Sequence, residues 1–109
     1  MAQNFRNQIE RNTGATPVDI LDQVNSYDTV VGIRCANVAS STITVDVYIV
    51  RSATNYYLIK NASITAGQSL ELIDGGSKVV LHDNDKIMAV SSTASSLDAV
   101  VSYVDAIST

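Results

Sequence analysis

The chain has no tryptophan, one histidine, one cysteine and one proline, and only two of its 109 residues are glutamate. Each scarcity removes a class of protein. Cys35 has no intrachain disulfide partner and lies in an apolar run, which fits a small buried hydrophobe. A zinc site needs three or four nitrogen or sulfur ligands, whereas His82 and Cys35 are the only two in the chain. No serine stands in the G-x-S-x-G setting of a nucleophile elbow, so no acid, base and nucleophile can be assembled around His82. The expectation is a protein that is not an enzyme, with no catalytic residue, no metal and no cofactor.

Charge is scarce as well. Charged side chains make up 17% of the chain, against about 25% in ordinary soluble domains. So bare a surface is expected to be covered in part by another chain. The net charge of −4 and the pI of about 4.6 leave no basic field to attract a phosphate backbone, so nucleic acid is not an expected partner. No stretch approaches the roughly 20 apolar residues of a membrane helix, so no membrane partner is expected. The opening Met1-Ala2-Gln3-Asn4-Phe5-Arg6 has no basic stretch leading into an apolar one, so synthesis and assembly in a host cytoplasm are expected.

What the chain has in quantity is β-branched: 14 Val, 10 Ile and 9 Thr, against 6 Leu. These residues lose rotamer freedom in a helix and pack well on a pleated surface. From Thr29 onward, strand-like runs begin near 29, 42, 56, 69, 78, 86 and 97, and Val18-Asp19-Ile20 after Pro17 reads as a further short strand. Short strands separated by turn residues at such intervals predict an all-β fold, a single antiparallel β-sandwich of jelly-roll-like type with about eight short strands and an extended N-terminal arm. The length suits one domain, divided as an arm over 1–16 and a sandwich over 17–109.

Within those runs, Ile43, Val45, Val47 and Ile49 alternate with Thr42, Thr44, Asp46 and Tyr48, which assigns one face to the core. The run from Val30 to Val38 is apolar on both parities and reads as a central strand covered on both faces. Ala39-Ser40-Ser41 reads as a hairpin connection, as does Asp74-Gly75-Gly76-Ser77, whose glycines supply positive φ. The serine-rich stretch 91–96 reads as a soft surface loop, and the last run, from Leu97 to Ile107, ends the chain within the sheet.

Four features resemble sites, and each has a plainer reading. Asp83-Asn84-Asp85, with Asp74, could gather oxygen ligands for calcium, but the Gly and Glu of the EF-hand spacing are absent and tight turns select the same residues. Asn61-Ala62-Ser63 fits a glycosylation sequon and is read as a turn. Gly75-Gly76 lacks the spacing of a phosphate-binding loop. Tyr48, Tyr56 and Tyr57 could form a weak aromatic platform for a ligand such as a sugar, although tyrosine is common in half-buried strands. In the arm, Phe5 and Ile9 are the only large apolar side chains among Asn4, Arg6, Asn7, Gln8, Arg11 and Asn12. Such a segment cannot order itself, so Phe5, Arg6, Ile9 and Arg11 are candidate assembly contacts, held by a neighbouring subunit or by the domain's own flank.

The order of Asn37, the alternating Thr42–Ile49, Tyr57-Leu58-Ile59-Lys60-Asn61-Ala62-Ser63-Ile64, Gly67-Gln68-Ser69-Leu70-Glu71-Leu72, Lys78-Val79-Val80-Leu81 and Asn84-Asp85-Lys86-Ile87 resembles the small β-sandwich virion structural proteins of tailed bacteriophages, especially marine and cyanobacterial ones. The resemblance covers about residues 18 to 107. It implies an accessory structural subunit of the virion, a capsid decoration or tail-associated protein present in many copies. Its partners would be its own copies, as a homo-oligomer, and a major capsid or tail protein. Where the family usually has Gly before the turn Asp, this chain has Asn84, which tolerates the same left-handed backbone. The other function the residues allow is a carbohydrate-binding module for a host surface, built on the tyrosines.

Overall fold

A computed structural model describes residues 4–21, 28–73 and 79–105. The described chain forms β1 (Asn4–Thr13), β2 (Val18–Leu21), β3 (Asp28–Asn37), β4 (Ile43–Arg51), β5 (Thr54–Ile64), β6 (Ser69–Glu71), β7 (Val79–Leu81), β8 (Lys86–Ser91) and β9 (Leu97–Asp105). The first sheet runs β1-β9-β3-β6, with β7 also on β3, and the second runs β2-β8-β4-β5. Every pairing is antiparallel. The two sheets close on a core that includes Ile33, Val47, Leu81, Ile87, Leu97 and Val101, none of which is exposed. Full burial of one such side chain contributes roughly 1.5–3 kcal/mol, so the sandwich between the sheets is where the fold is held.

The eight expected strands are all present, and a ninth lies in the segment expected to be an arm. Residues 4–13 form β1, an edge strand that runs antiparallel along β9 from Asn4 opposite Asp105 to Thr13 opposite Leu97. Of the two supports considered for this segment, the domain's own flank is the one the structure shows.

Both expected hairpins are replaced by other connections. β3 and β4 belong to different sheets, so Ala39-Ser40-Ser41 carries the chain across the sandwich. Asn37 makes that crossing: buried, it donates from Nδ2 to the carbonyls of Ser41 and Ile64, each at 2.8 Å, while its Oδ1 accepts the Ala39 N–H at 2.8 Å. The runs either side of Asp74 do not pair with each other. β6 sits opposite Arg34–Ala36 and β7 opposite Asp28–Val30, so they lie end to end on one edge of β3, and the Leu72 N–H still bonds the Ile33 carbonyl at 2.9 Å. The Asp74–Ser77 turn itself and Ile107 lie outside the described residues.

The double apolar parity of 30–38 has a different cause from the one expected. β3 is central, but its outward face is only half covered and Arg34 is exposed. A β-bulge between Val30 and Gly32 shifts the inward positions from Asp28 and Val30 to Ile33, Cys35 and Asn37, so apolar residues fall on both parities of the sequence. Bulges also end the neat alternation of β4 after Val47, opposite β5. Asn61 marks one of them with φ 56°, its N–H donating to Asp46 Oδ1 at 2.7 Å. The sequon therefore lies inside β5 and is no turn. The 91–96 segment is less soft than its composition suggests. Ser91 and Ser96 are buried with their hydroxyls 2.6 Å apart, and the Ser91 N–H bonds the Gly14 carbonyl at 2.9 Å.

β4 and β5 are joined by a two-residue hairpin in which Ser52 and Ala53 both have positive φ, 53° and 62°. Such turns match the twist of the flanking strands but favour Asn and Gly, because a Cβ crowds the following carbonyl in the left-handed region. Ala53→Gly should therefore stabilise the protein by about 0.5–1 kcal/mol, the relief of strain outweighing glycine's extra unfolded-state entropy. A higher urea midpoint at unchanged m would show it; an unchanged or lower midpoint would refute it.

Candidate assembly surface

In an antiparallel pair, residues directly opposite share a face and pack together. Register alone therefore draws the outward face of the first sheet. One row crosses four strands as Phe5, Val104, Thr29 and Val80. The next is Asn7, Ser102 and Gly32, and the third is Ile9, Val100, Arg34 and Glu71. Phe5 is 84% exposed, Ile9 63% and Val80 51%, while Val31, Val100 and Val104 are half-buried. Beside Phe5 lies a shallow depression of about 510 Å³ lined by Phe5, Arg6, Asn7, Val31, Ser102 and Tyr103. A Cβ on Gly32 would meet nothing closer than Glu71 Oε2 at 3.7 Å, so no clash requires glycine there.

The polar edge of this face is built from within. Glu71 accepts the Ile33 N–H at 2.9 Å and stands 3.7 Å from Arg34 Nε, so its carboxylate secures the β3–β6 edge. Beneath the face, Cys35 is buried, and burial pushes its thiol up to about 12, with the Glu71 charge adding to the effect. A thiol held so far from ionisation is a packing group.

The candidates named from sequence fall in several places. Phe5, Arg6, Ile9 and Arg11 are all on β1 and exposed, with Phe5 and Ile9 on the outward face. Tyr48 and Tyr57 meet on the outer face of the second sheet, ring centroids 5.1 Å apart and tilted 47°. Lys60 Nζ sits 4.4 Å over the Tyr57 ring and 3.8 Å from Asp46 Oδ2, and burial raises the Tyr48 hydroxyl's pKa. Tyr56 pairs with Ile49, on the opposite face, so the three tyrosines do not converge. His82 is exposed in the turn between β7 and β8, far in character from the buried Cys35. Asp83 and Asn84 are also exposed there, and Asn84 takes the left-handed backbone its type tolerates, with φ 75°. Asp85 instead turns inward: Arg51 Nε donates to its Oδ1 at 2.9 Å, and Arg51 Nη2 and the His82 N–H donate to its Oδ2 at 2.7 and 2.8 Å. Asp85 thus forms a latch between the β7–β8 turn and the β4 end. Asp74 lies outside the described residues.

Sequence reading missed Val31, Val80, Val100 and Val104 as members of the outward face. Their runs are apolar on both parities, and only the register tells which parity faces out.

No protein-family model matches the chain, and no curated protein matches it in sequence. Solved structures do match in shape. Bacillus endospore appendages, which form disulfide-linked pili, align at TM-score 0.56 and 12% identity over 94% of this chain and 84% of that one. A viral capsid protein from infectious bursal disease virus, Gx strain, aligns at TM-score 0.54 and 8% identity over 95% of this chain. The Drosophila NLP-core, whose structure concerns pentamer formation and histone binding, aligns at TM-score 0.51 and 8% identity over 94% and 95%. The likeness is one of fold. This chain shares their β-sandwich fold, and it spans only 33% of the bursal disease virus protein it matches, against nearly the whole of the NLP-core.

Proposed function

We propose that the chain is an accessory structural subunit of a tailed-bacteriophage virion, packing on its own copies and on a major capsid or tail protein. Its mechanism is burial of surface, with no turnover. The observation that carries the reading is the outward face of the first sheet, where Phe5, Ile9 and Val80 are exposed in rows with half-buried valines. Large apolar side chains left this exposed on one face, with polar ones between them, suit an interaction site. Three further features support it: the segmental resemblance to phage virion proteins, the low charge of the chain, and the shared fold of a viral capsid protein, a pilus and a pentamer-forming core.

The test is incorporation into particles. Phage particles purified from cells producing the tagged chain should contain it in many copies by quantitative mass spectrometry. The variant Phe5→Ser/Ile9→Ser should be at least tenfold depleted from particles while remaining folded, because both side chains are mostly exposed in the subunit. Particles that lack the wild-type chain, or that take up the variant equally, would sink the reading.

A further inference from the structure

Four described edges end the two sheets, and three of them are blunted. β2 has four residues and a bulge; β6 and β7 have three residues each; β5 is long but broken by bulges and carries Lys60 and the positive-φ Asn61. These are the usual devices that stop one sheet from adding to another. β1 has ten residues, no proline and no lysine, and it pairs with β9 without a break from Asn4 to Glu10. Among the described residues no strand pairs with its other edge. Every second residue of β1 therefore presents its N–H and C=O to that edge.

We propose that two copies of the chain join β1 to β1, antiparallel, about a two-fold axis beside Gln8, so that Arg6 lies opposite Glu10 of the partner subunit on both sides of the axis. This deepens the assembly reading and rests on it, since it names a second copy as the occupant of β1.

The register follows from physics. In a regular antiparallel ladder, hydrogen-bonding residues face hydrogen-bonding residues, so two-fold pairing of a strand with itself matches residues whose numbers have an even sum. A sum of 12 sets Arg6 against Arg6 and is repelled. Sums of 14 and 18 leave Arg6 opposite Gln8 or Asn12 and form no ion pair. A sum of 16 sets Arg6 against Glu10 twice, Asn7 against Ile9 twice, and Gln8 against itself. Arg6 and Glu10 are thus spaced symmetrically about Gln8 and complement themselves in one register. Arg6 and Gln8 each already make a contact within the subunit, and the five donors of a guanidinium leave room for a second carboxylate. Because the axis is perpendicular to the sheet, the outward faces of both copies lie on one side and form one continuous face.

The test uses the purified full chain over a concentration series in analytical ultracentrifugation. Wild type should dimerise. Arg6→Glu and Glu10→Arg should each weaken the dimer at least tenfold, because a single reversal turns two attractive pairs into two repulsive ones. The double reversal should restore affinity to within about threefold, with circular dichroism and melting temperature checking that all four proteins are folded. As a second measure, Gln8→Cys in a Cys35→Ala background should form a disulfide-linked dimer on oxidation, since directly opposed Cα atoms about 4.5–5.5 Å apart suit that bond. A dimer indifferent to both single reversals and not linked through position 8 would overturn the pairing while leaving the virion reading intact. A monomer at every concentration would also overturn it. The virion reading fails separately, by absence from particles.

Discussion

Replacing Asn37 with Asp should destabilise the protein by about 4 kcal/mol at neutral pH, as the carbonyls of Ser41 and Ile64, which accepted hydrogen bonds from this buried side chain, come to face a carboxylate. The side chain is only 2% exposed and bonds three backbone groups, on both sides of the crossing from β3 to β4 and on β5. An isostere keeps the volume but reverses the Nδ2 end from donor to acceptor. Burial without a cation should raise the new carboxyl's pKa above its unfolded value, so the folded state holds the proton more tightly. The penalty should accordingly be full above that raised value and shrink as pH falls through it. Asn37→Ala should cost about 3 kcal/mol with no such pH dependence, from unmet backbone groups and a small cavity. Urea titrations of both variants at pH 4 and pH 8 separate the mechanisms. If Asn37→Asp were equally unstable at the two pH values, or no worse than wild type, the pin would not work as described.

The second large effect is expected at Asp85. Its carboxylate is buried, and the hydrogen bond from Arg51 holds its pKa below the ordinary Asp value of about 3.9, the His82 N–H adding to the shift and burial opposing it. Asp85→Ala should cost about 3 kcal/mol, for the loss of charged hydrogen bonds to two partners. Arg51 is itself 45% exposed and can turn to water, which keeps the loss below that of a fully enclosed pair. Because the folded-state pKa is lowered, the contribution of Asp85 is complete above the unfolded value and disappears as pH falls through the folded one. The stability gap between wild type and Asp85→Asn should therefore narrow in acid. A gap that widened on acidification would contradict the assignment of the latch.

The strands were legible because their side chains carry the signal. β-branched residues mark β2 to β5 and β7 to β9, Leu70 and Leu72 mark the run of β6, and Ile43, Val45 and Val47 point inward as their parity predicts. β1 was not, because NFRNQIERNT has little strand propensity of its own; it is a strand because β9 offers an edge to pair with, and tertiary pairing overrides propensity. The connections failed for another reason. Ala39-Ser40-Ser41 shows that the chain turns and not whether the strands it joins share a sheet. The site was half legible. Phe5 and Ile9 stand out among polar neighbours, whereas Val80 and Val100 become surface residues only once Leu81 and Val101 are seen to be buried. The inward turn of Asp85 has no sequence signature beyond an Arg 34 residues away.

The pairing of Asn4 with Asp105 also sets an order of events. Once β1 has been synthesised, about a hundred further residues must be added before its partner is complete. Closing so long a loop carries an entropic cost that local contacts cannot repay, so β1 docks late and β-sandwiches of this connectivity fold slowly. Until then the nascent chain has no completed outward face and no completed edge. In the assembly proposed above, adhesive surface would thus appear only on subunits whose sandwich is already closed, which would delay assembly until each copy had finished folding and keep half-made chains from joining it.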